Sequence, residues 1–131
     1  MADFVLDTHA CIYALAAPQR LGKAARRALR QVEAGRAVAW IPAAVVAEVI
    51  LLRELGRVRI GLPELRSAME GSPALRFLAL DLRQLDEFAA HGAIRDPFDR
   101  LIVGACRAVD ARLITKDEGL RESGLVGTVW A

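Results

Sequence analysis

The sequence predicts one α/β layered domain built on a largely parallel sheet. Three observations carry that expectation. Short apolar runs that read as strands alternate with segments of helical periodicity along the chain. Those runs are nearly unbroken in apolar residues, the pattern of strands covered on both faces. Acidic residues follow the first and fourth runs, and in such sheets sites open outside the carboxyl ends of the strands. The length of 131 residues fits one domain spanning 1–131. A chain of that size buries enough surface to fold without a disulfide or metal staple.

The elements follow in order. Phe4-Val5-Leu6 is a buried strand ending at Asp7. Ala10 to Ala17 is helical and Pro18 stops it. Arg20 to Ala34 places Leu21, Ala24, Ala25, Ala28, Leu29 and Val32 on one face, with Arg26, Arg27 and Arg30 on a solvated face. Gly35 ends that helix, and Ala37 to Ile41 is the second strand. Pro42 opens a helix to about Leu55, closed by Gly56, and Pro63 opens another to about Glu70. Phe77 to Leu80 is the third strand and Leu82 to Ala90 a helix. Asp96-Pro97 opens the next helix, to about Val109, with the Asp as cap and the Pro in the first turn. Arg112 to Thr115 is the fourth strand, Asp117 to Glu122 a short helical turn, and Val126 to Trp130 a closing strand.

Composition excludes several classes. Cys11 and Cys106 sit inside apolar segments and have neither metal-ligand spacing nor the density of a disulfide framework, so a reducing, cytoplasmic setting is expected. The chain opens Met-Ala-Asp without a basic region and long apolar stretch, so no signal peptide is expected. The longest apolar run, Ile41 to Leu52, is broken by Pro42 and Glu48 and is too short for a bilayer. Net charge is +2, a weak pointer to a polyanionic partner. Arginine dominates the basic residues, with lysine only at Lys23 and Lys116. Arg binds paired phosphate oxygens well, although a coding bias toward Arg accounts for the count equally.

The chemistry lies in the acids. Glu48 stands in Ala43-Ala44-Val45-Val46-Ala47-Glu48-Val49-Ile50-Leu51-Leu52, with every neighbour within four positions apolar. A helix apolar all round is mostly buried, and a buried carboxylate needs a cation or becomes neutral. The cation is an Arg or a metal; the remaining reading is a Glu facing solvent from an incompletely buried helix. Asp7 and Asp117 follow strands, where each also suits a helix cap. Asp96 reads mainly as an N-cap, and Asp99 then falls at the third helical position, where a carboxylate favours the helix dipole. Carboxylates converging on one mouth repel unless cations fill the space, and hard oxygen donors select Mg²⁺ or Mn²⁺. Such a site suits metal-assisted phosphodiester hydrolysis. His9 and His91 lack zinc-type spacing, and His9 reads best as a turn residue.

Val5-Leu6-Asp7-Thr8-His9, the apolar helix bearing Glu48, Arg95-Asp96-Pro97-Phe98-Asp99-Arg100-Leu101-Ile102-Val103 and Leu113-Ile114-Thr115-Lys116-Asp117 together resemble the PIN-domain family, in particular the VapC-type toxins of toxin–antitoxin pairs. The resemblance runs through the whole chain, and Asp-Pro-Phe-Asp-Arg is its most specific block. It implies a three-layer α/β/α sandwich with a mainly parallel sheet of 4–5 strands. It implies an endoribonuclease with Asp7, Glu48, Asp99 and Asp117 as catalytic, metal-binding acids, Asp96 as a possible fifth, and Thr8 and Thr115 orienting carboxylates. It further implies a homodimer inhibited by a VapB-like antitoxin. Arg95, Arg100 and Lys116, near the acids in sequence, are the expected contacts to the RNA backbone. Two positions depart from the family: Pro42 stands where Ser or Thr is frequent, and Ala93-Ile94-Arg95 replaces a frequent His. Both bear on substrate positioning rather than on the core acids.

Three rivals remain open on sequence, two of another class and one a non-catalytic scaffold. A phosphatase of the haloacid-dehalogenase type needs a second Asp where His9 stands, and a phospho-receiver domain leaves Glu48 unexplained. A PIN-like scaffold that dimerises or binds RNA without cutting it has no need of four intact acids.

Overall fold

The computed structural model describes residues 2–131, so the leaderless reading of Met1 lies outside the described residues. Strand β1 (Ala2–Leu6) runs into helix α1 (Thr8–Ala16). A short 3₁₀ turn at Pro18–Arg20 precedes α2 (Lys23–Glu33). Strand β2 (Ala37–Pro42), α3 (Ala43–Glu54), α4 (Leu62–Gly71) and β3 (Leu75–Leu78) follow. Then come α5 (Leu82–Ala90), α6 (Pro97–Val109), β4 (Arg112–Ile114), α7 (Glu118–Glu122) and β5 (Thr128–Val129). The strands form one sheet in the order β3-β2-β1-β4-β5, and all four pairings are parallel.

The expected alternation is therefore present, with shifts that have physical causes. The helix expected over Arg20 to Ala34 is broken at Leu21 and Gly22. Gly22 packs so closely on the C-terminal strand that a Cβ there would meet the Trp130 carbonyl oxygen at 2.1 Å, and that same oxygen accepts the Ala25 N–H at 3.1 Å. The third strand lies two residues earlier than expected because its register is set by β2, with Ala39 opposite Leu75 and Pro42 opposite Leu78. Ala79 and Leu80 are left beyond the sheet. Gly35 and Gly56, at positive φ, sit just past the C-caps of α2 and α3 as expected.

Connections between parallel strands are right-handed as a rule, and with this strand order that lays helices on both faces of the sheet, giving three layers. The core runs through Val5, Leu6, Ile41, Val45, Val49, Leu113 and Ile114, all inaccessible. Gly104 lets α6 approach α5, since a Cβ there would lie 2.9 Å from the Gln84 carbonyl oxygen. The chain moves outward from β1 to β2 and β3 in one direction, and to β4 and β5 in the other. The switch between directions lies at the carboxyl ends of β1 and β4, where parallel sheets open a crevice. The Asp7 N–H donates to the Ile114 carbonyl at 3.2 Å and closes the two strand ends together. Among the described residues, no helix is long and apolar enough to cross a membrane.

One expectation about packing fails. Helix α3 is apolar all round yet not buried all round: only Val45 and Val49 are inaccessible, and Leu51 is 45% and Leu55 66% exposed. When every position is apolar, helical periodicity carries no information on which face turns inward. Cys11 and Cys106 are free and buried, and burial pushes the Cys11 thiol up to about 12, so neither has thiolate character near neutrality.

Candidate active site

The crevice holds a pocket of about 360 Å³ lined by Asp7, Thr8, His9, Glu48, Asp96, Asp99, Lys116 and Asp117. Five carboxylates from four separate stretches of chain meet there. Local chemistry explains why each stands where it does. Asp7 ends β1 and caps α1, its Oδ1 accepting the Ala10 N–H at 2.8 Å. Asp96 caps α6 by accepting the Asp99 N–H at 2.9 Å. Asp117 caps α7 by accepting the Leu120 N–H at 2.9 Å. The capping readings are thus present in all three, and they do not compete with a ligand role. Each cap engages Oδ1 and leaves Oδ2 for another partner.

Two threonines connect the acids. Thr115, fully buried, accepts the Asp117 N–H at 3.1 Å, and its hydroxyl lies near enough to Asp7 to favour the ionised carboxylate. Thr8 donates its hydroxyl to Glu48 Oε1, across 40 positions of sequence. Glu48 is half-buried rather than enclosed. Among the described residues it makes no ion pair with an Arg, and neither do Asp7, Asp96, Asp99 or Asp117.

The electrostatics record the crowding. Burial pushes the Asp99 carboxyl up to about 6, with Asp96, Asp117, Glu48 and Asp7 adding repulsion in that order. Burial also raises Asp7, opposed by the Thr115 hydrogen bond, the Ala10 N–H and the nearby His9. The donor set is all oxygen and suits a hard divalent cation. No three of these side chains stand close enough together, as arranged, to enclose one ion. Mg²⁺ keeps most of its waters and needs only one or two carboxylates, so the set fits it without a complete cage.

The rim residues divide. Lys116 lines the pocket, whereas Arg95 is exposed outside it. Arg100 is used elsewhere: its Nε donates to the Phe88 carbonyl at 2.7 Å and its guanidinium lies 4.0 Å from the Phe88 ring centre. That placement follows from tertiary packing of α6 on α5. His9, read as a turn residue, stands in the first turn of α1 and lines the pocket. Tyr13, not singled out from the sequence, contacts Lys116 from the same face of α1. Its four-residue spacing from His9 was the available signal.

Comparison with known proteins agrees with this geometry. The PIN domain family model matches residues 4–124. The chain belongs to the PIN domain family. That assignment removes the phosphatase and receiver alternatives. Solved structures share the fold at low identity. VapBC2 of Rickettsia felis, bound to a DNA fragment from its promoter, is similar with a TM-score of 0.70 at 15% identity, over 96% of both chains. A toxin–antitoxin complex from Klebsiella pneumoniae gives 0.64 at 18%, over 98% of this chain and 96% of that one. FitAcB of Neisseria gonorrhoeae gives 0.62 at 20%, over 95% of each. No curated protein matches the sequence.

Proposed function

We propose that this PIN domain is an endoribonuclease dependent on Mg²⁺ or Mn²⁺, the VapC-type toxin of a toxin–antitoxin pair. The observation that carries the reading is the set of five carboxylates meeting in one crevice without an ion pair among the described residues. Mutual repulsion of that kind has a use when a divalent cation is to be held.

Asp7, Glu48, Asp99 and Asp117 would hold a hydrated metal among them, one or two by direct contact and the rest through its waters, with Asp96 a possible further donor. When bound, Mg²⁺ or Mn²⁺ supplies an acidified water and neutralises charge on the phosphate. The chain's own part is to orient these acids. Asp7 is fixed by the Ala10 N–H, and Thr8 turns Glu48 toward the pocket. Lys116, an exposed cation at the lip, would attract a phosphate of the RNA backbone.

We also propose a VapB-like antitoxin as partner and a homodimer as the working form. The solved structures of this fold include toxin–antitoxin complexes. Apolar residues left open at Leu51 and Leu55 of α3 and Leu82 of α5 are of the kind that oligomers or partners cover. The test of the enzymatic reading is cleavage of single-stranded RNA with Mn²⁺ or Mg²⁺. Asp7→Asn and Asp99→Asn should each abolish it. Cleavage that persists in both variants with EDTA present overturns the proposal.

A further inference from the structure

Lys116 is the cation that lines a pocket otherwise dominated by carboxylates, yet among the described residues it pairs with none of them within 4.0 Å. Its Nζ instead donates to the phenol oxygen of Tyr13 at 2.8 Å. The ammonium lies 5.0 Å from the Tyr13 ring centre. With the oxygen so much nearer, it sits out beyond the hydroxyl as a hydrogen-bond donor rather than over the ring face. A lysine on a flexible four-carbon stem would ordinarily swing onto the nearest carboxylate. Here a neutral oxygen holds it.

The phenol is itself held firmly. Tyr13 is only 5% exposed. The Arg20 guanidinium covers its ring at 4.7 Å, and Trp130 and His9 pack tilted against it at 6.4 and 6.1 Å between ring centres. Its position follows from α1, which the Asp7 cap anchors at the pocket. The aromatic packing therefore fixes the phenol oxygen, and that oxygen fixes the ammonium of Lys116, which lines the pocket.

We propose that Tyr13 is a positioning residue for Lys116. The phenol keeps the ammonium at the lip and off the carboxylates, which reserves the acids for a divalent cation and the lysine for a backbone phosphate of the substrate. The inference rests on the metal-dependent reading of the site. It goes beyond that reading in predicting that a residue which touches no metal controls metal affinity.

The experiment is an Mn²⁺ titration by calorimetry of the wild type, Tyr13→Phe, and Tyr13→Phe combined with Lys116→Met. The Phe variant keeps the buried ring and removes only the hydroxyl. Freed from it, Lys116 competes for the acids and should weaken Mn²⁺ binding about fivefold, the effect of one exposed ion pair. Removing the ammonium in the double variant should restore wild-type affinity or exceed it. Equal affinity in the wild type and Tyr13→Phe overturns the inference and leaves the metal reading standing. A double variant that stays weak also overturns it, because the loss is then structural damage. A wild type that takes up no Mn²⁺ overturns both.

Discussion

Asp99 should have opposite effects on stability with and without metal, and Asp99→Asn separates the two. The carboxyl moves from an ordinary 3.8 in the unfolded chain to about 6 in the fold. At about 1.36 kcal/mol for each unit of pH, a fully enclosed group would thereby cost the ionised fold about 3 kcal/mol. Asp99 is half-buried, and water screens that cost to about 1 kcal/mol. Because the folded value is the higher one, Asp99 favours the fold fully below pH 3.8 and loses that contribution as pH rises through about 6. The amide carries no such penalty, but it forgoes the favourable interaction of a carboxylate with the first turn of α6, about 0.3–0.5 kcal/mol. In EDTA at pH 8, Asp99→Asn should therefore melt about 2–3 °C above the wild type. At pH 4 the two should coincide or the order should reverse. Saturating Mn²⁺ should reverse the pH 8 order too, because at about 100 times Kd a ligand adds about 2.7 kcal/mol to the protein that binds it. Thermal unfolding across pH in both buffers reads all of this. A wild type that melts above the variant at pH 8 in EDTA, or a gap that does not change with pH, refutes the reasoning.

Two further outcomes follow from the geometry. Arg100→Ala loses a hydrogen bond to the α5 backbone and the stack on Phe88, and should destabilise by about 1–2 kcal/mol in chemical denaturation. The salt dependence of RNA binding should stay at the wild-type slope, and a shallower slope would return Arg100 to the rim. Asp96→Ala should cost about 1 kcal/mol through loss of the α6 cap while Asp96→Asn costs much less, because Asn also caps well. Equal losses in the same denaturation assay would mean that the charge at position 96 matters more than the cap.

The parallel α/β alternation was legible in the sequence because buried strands and amphipathic helices differ in pattern along the chain. Asp7 and Asp117 were legible as acids at strand ends, and Asp99 as part of a helix start beside the sheet. Glu48 was singled out for a reason that the structure corrects. Its helix offered no polar face, which looked like full burial, but a single chain leaves Leu51 and Leu55 open. Glu48 nevertheless reaches the pocket, where a hydroxyl from α1 meets it. The bounds of the third strand depended on pairing with β2, which local propensity does not encode. Tyr13 and Lys116 are 103 positions apart and meet only through the sheet, so nothing in either neighbourhood marks the pair. Arg100 sits next to an acid in sequence, but the packing of α6 on α5 directs it to Phe88.

Three of the pocket acids begin helices as well as facing the crevice. Asparagine begins a helix about as well as aspartate does. Exchanging one oxygen for an amide at Asp7 or Asp117 thus removes charge from the pocket while the helix behind it keeps its first turn. The route from nuclease to silent binder is consequently short for this fold. A lineage could lose its chemistry and keep its shape, and every surface that a partner recognises would survive the change.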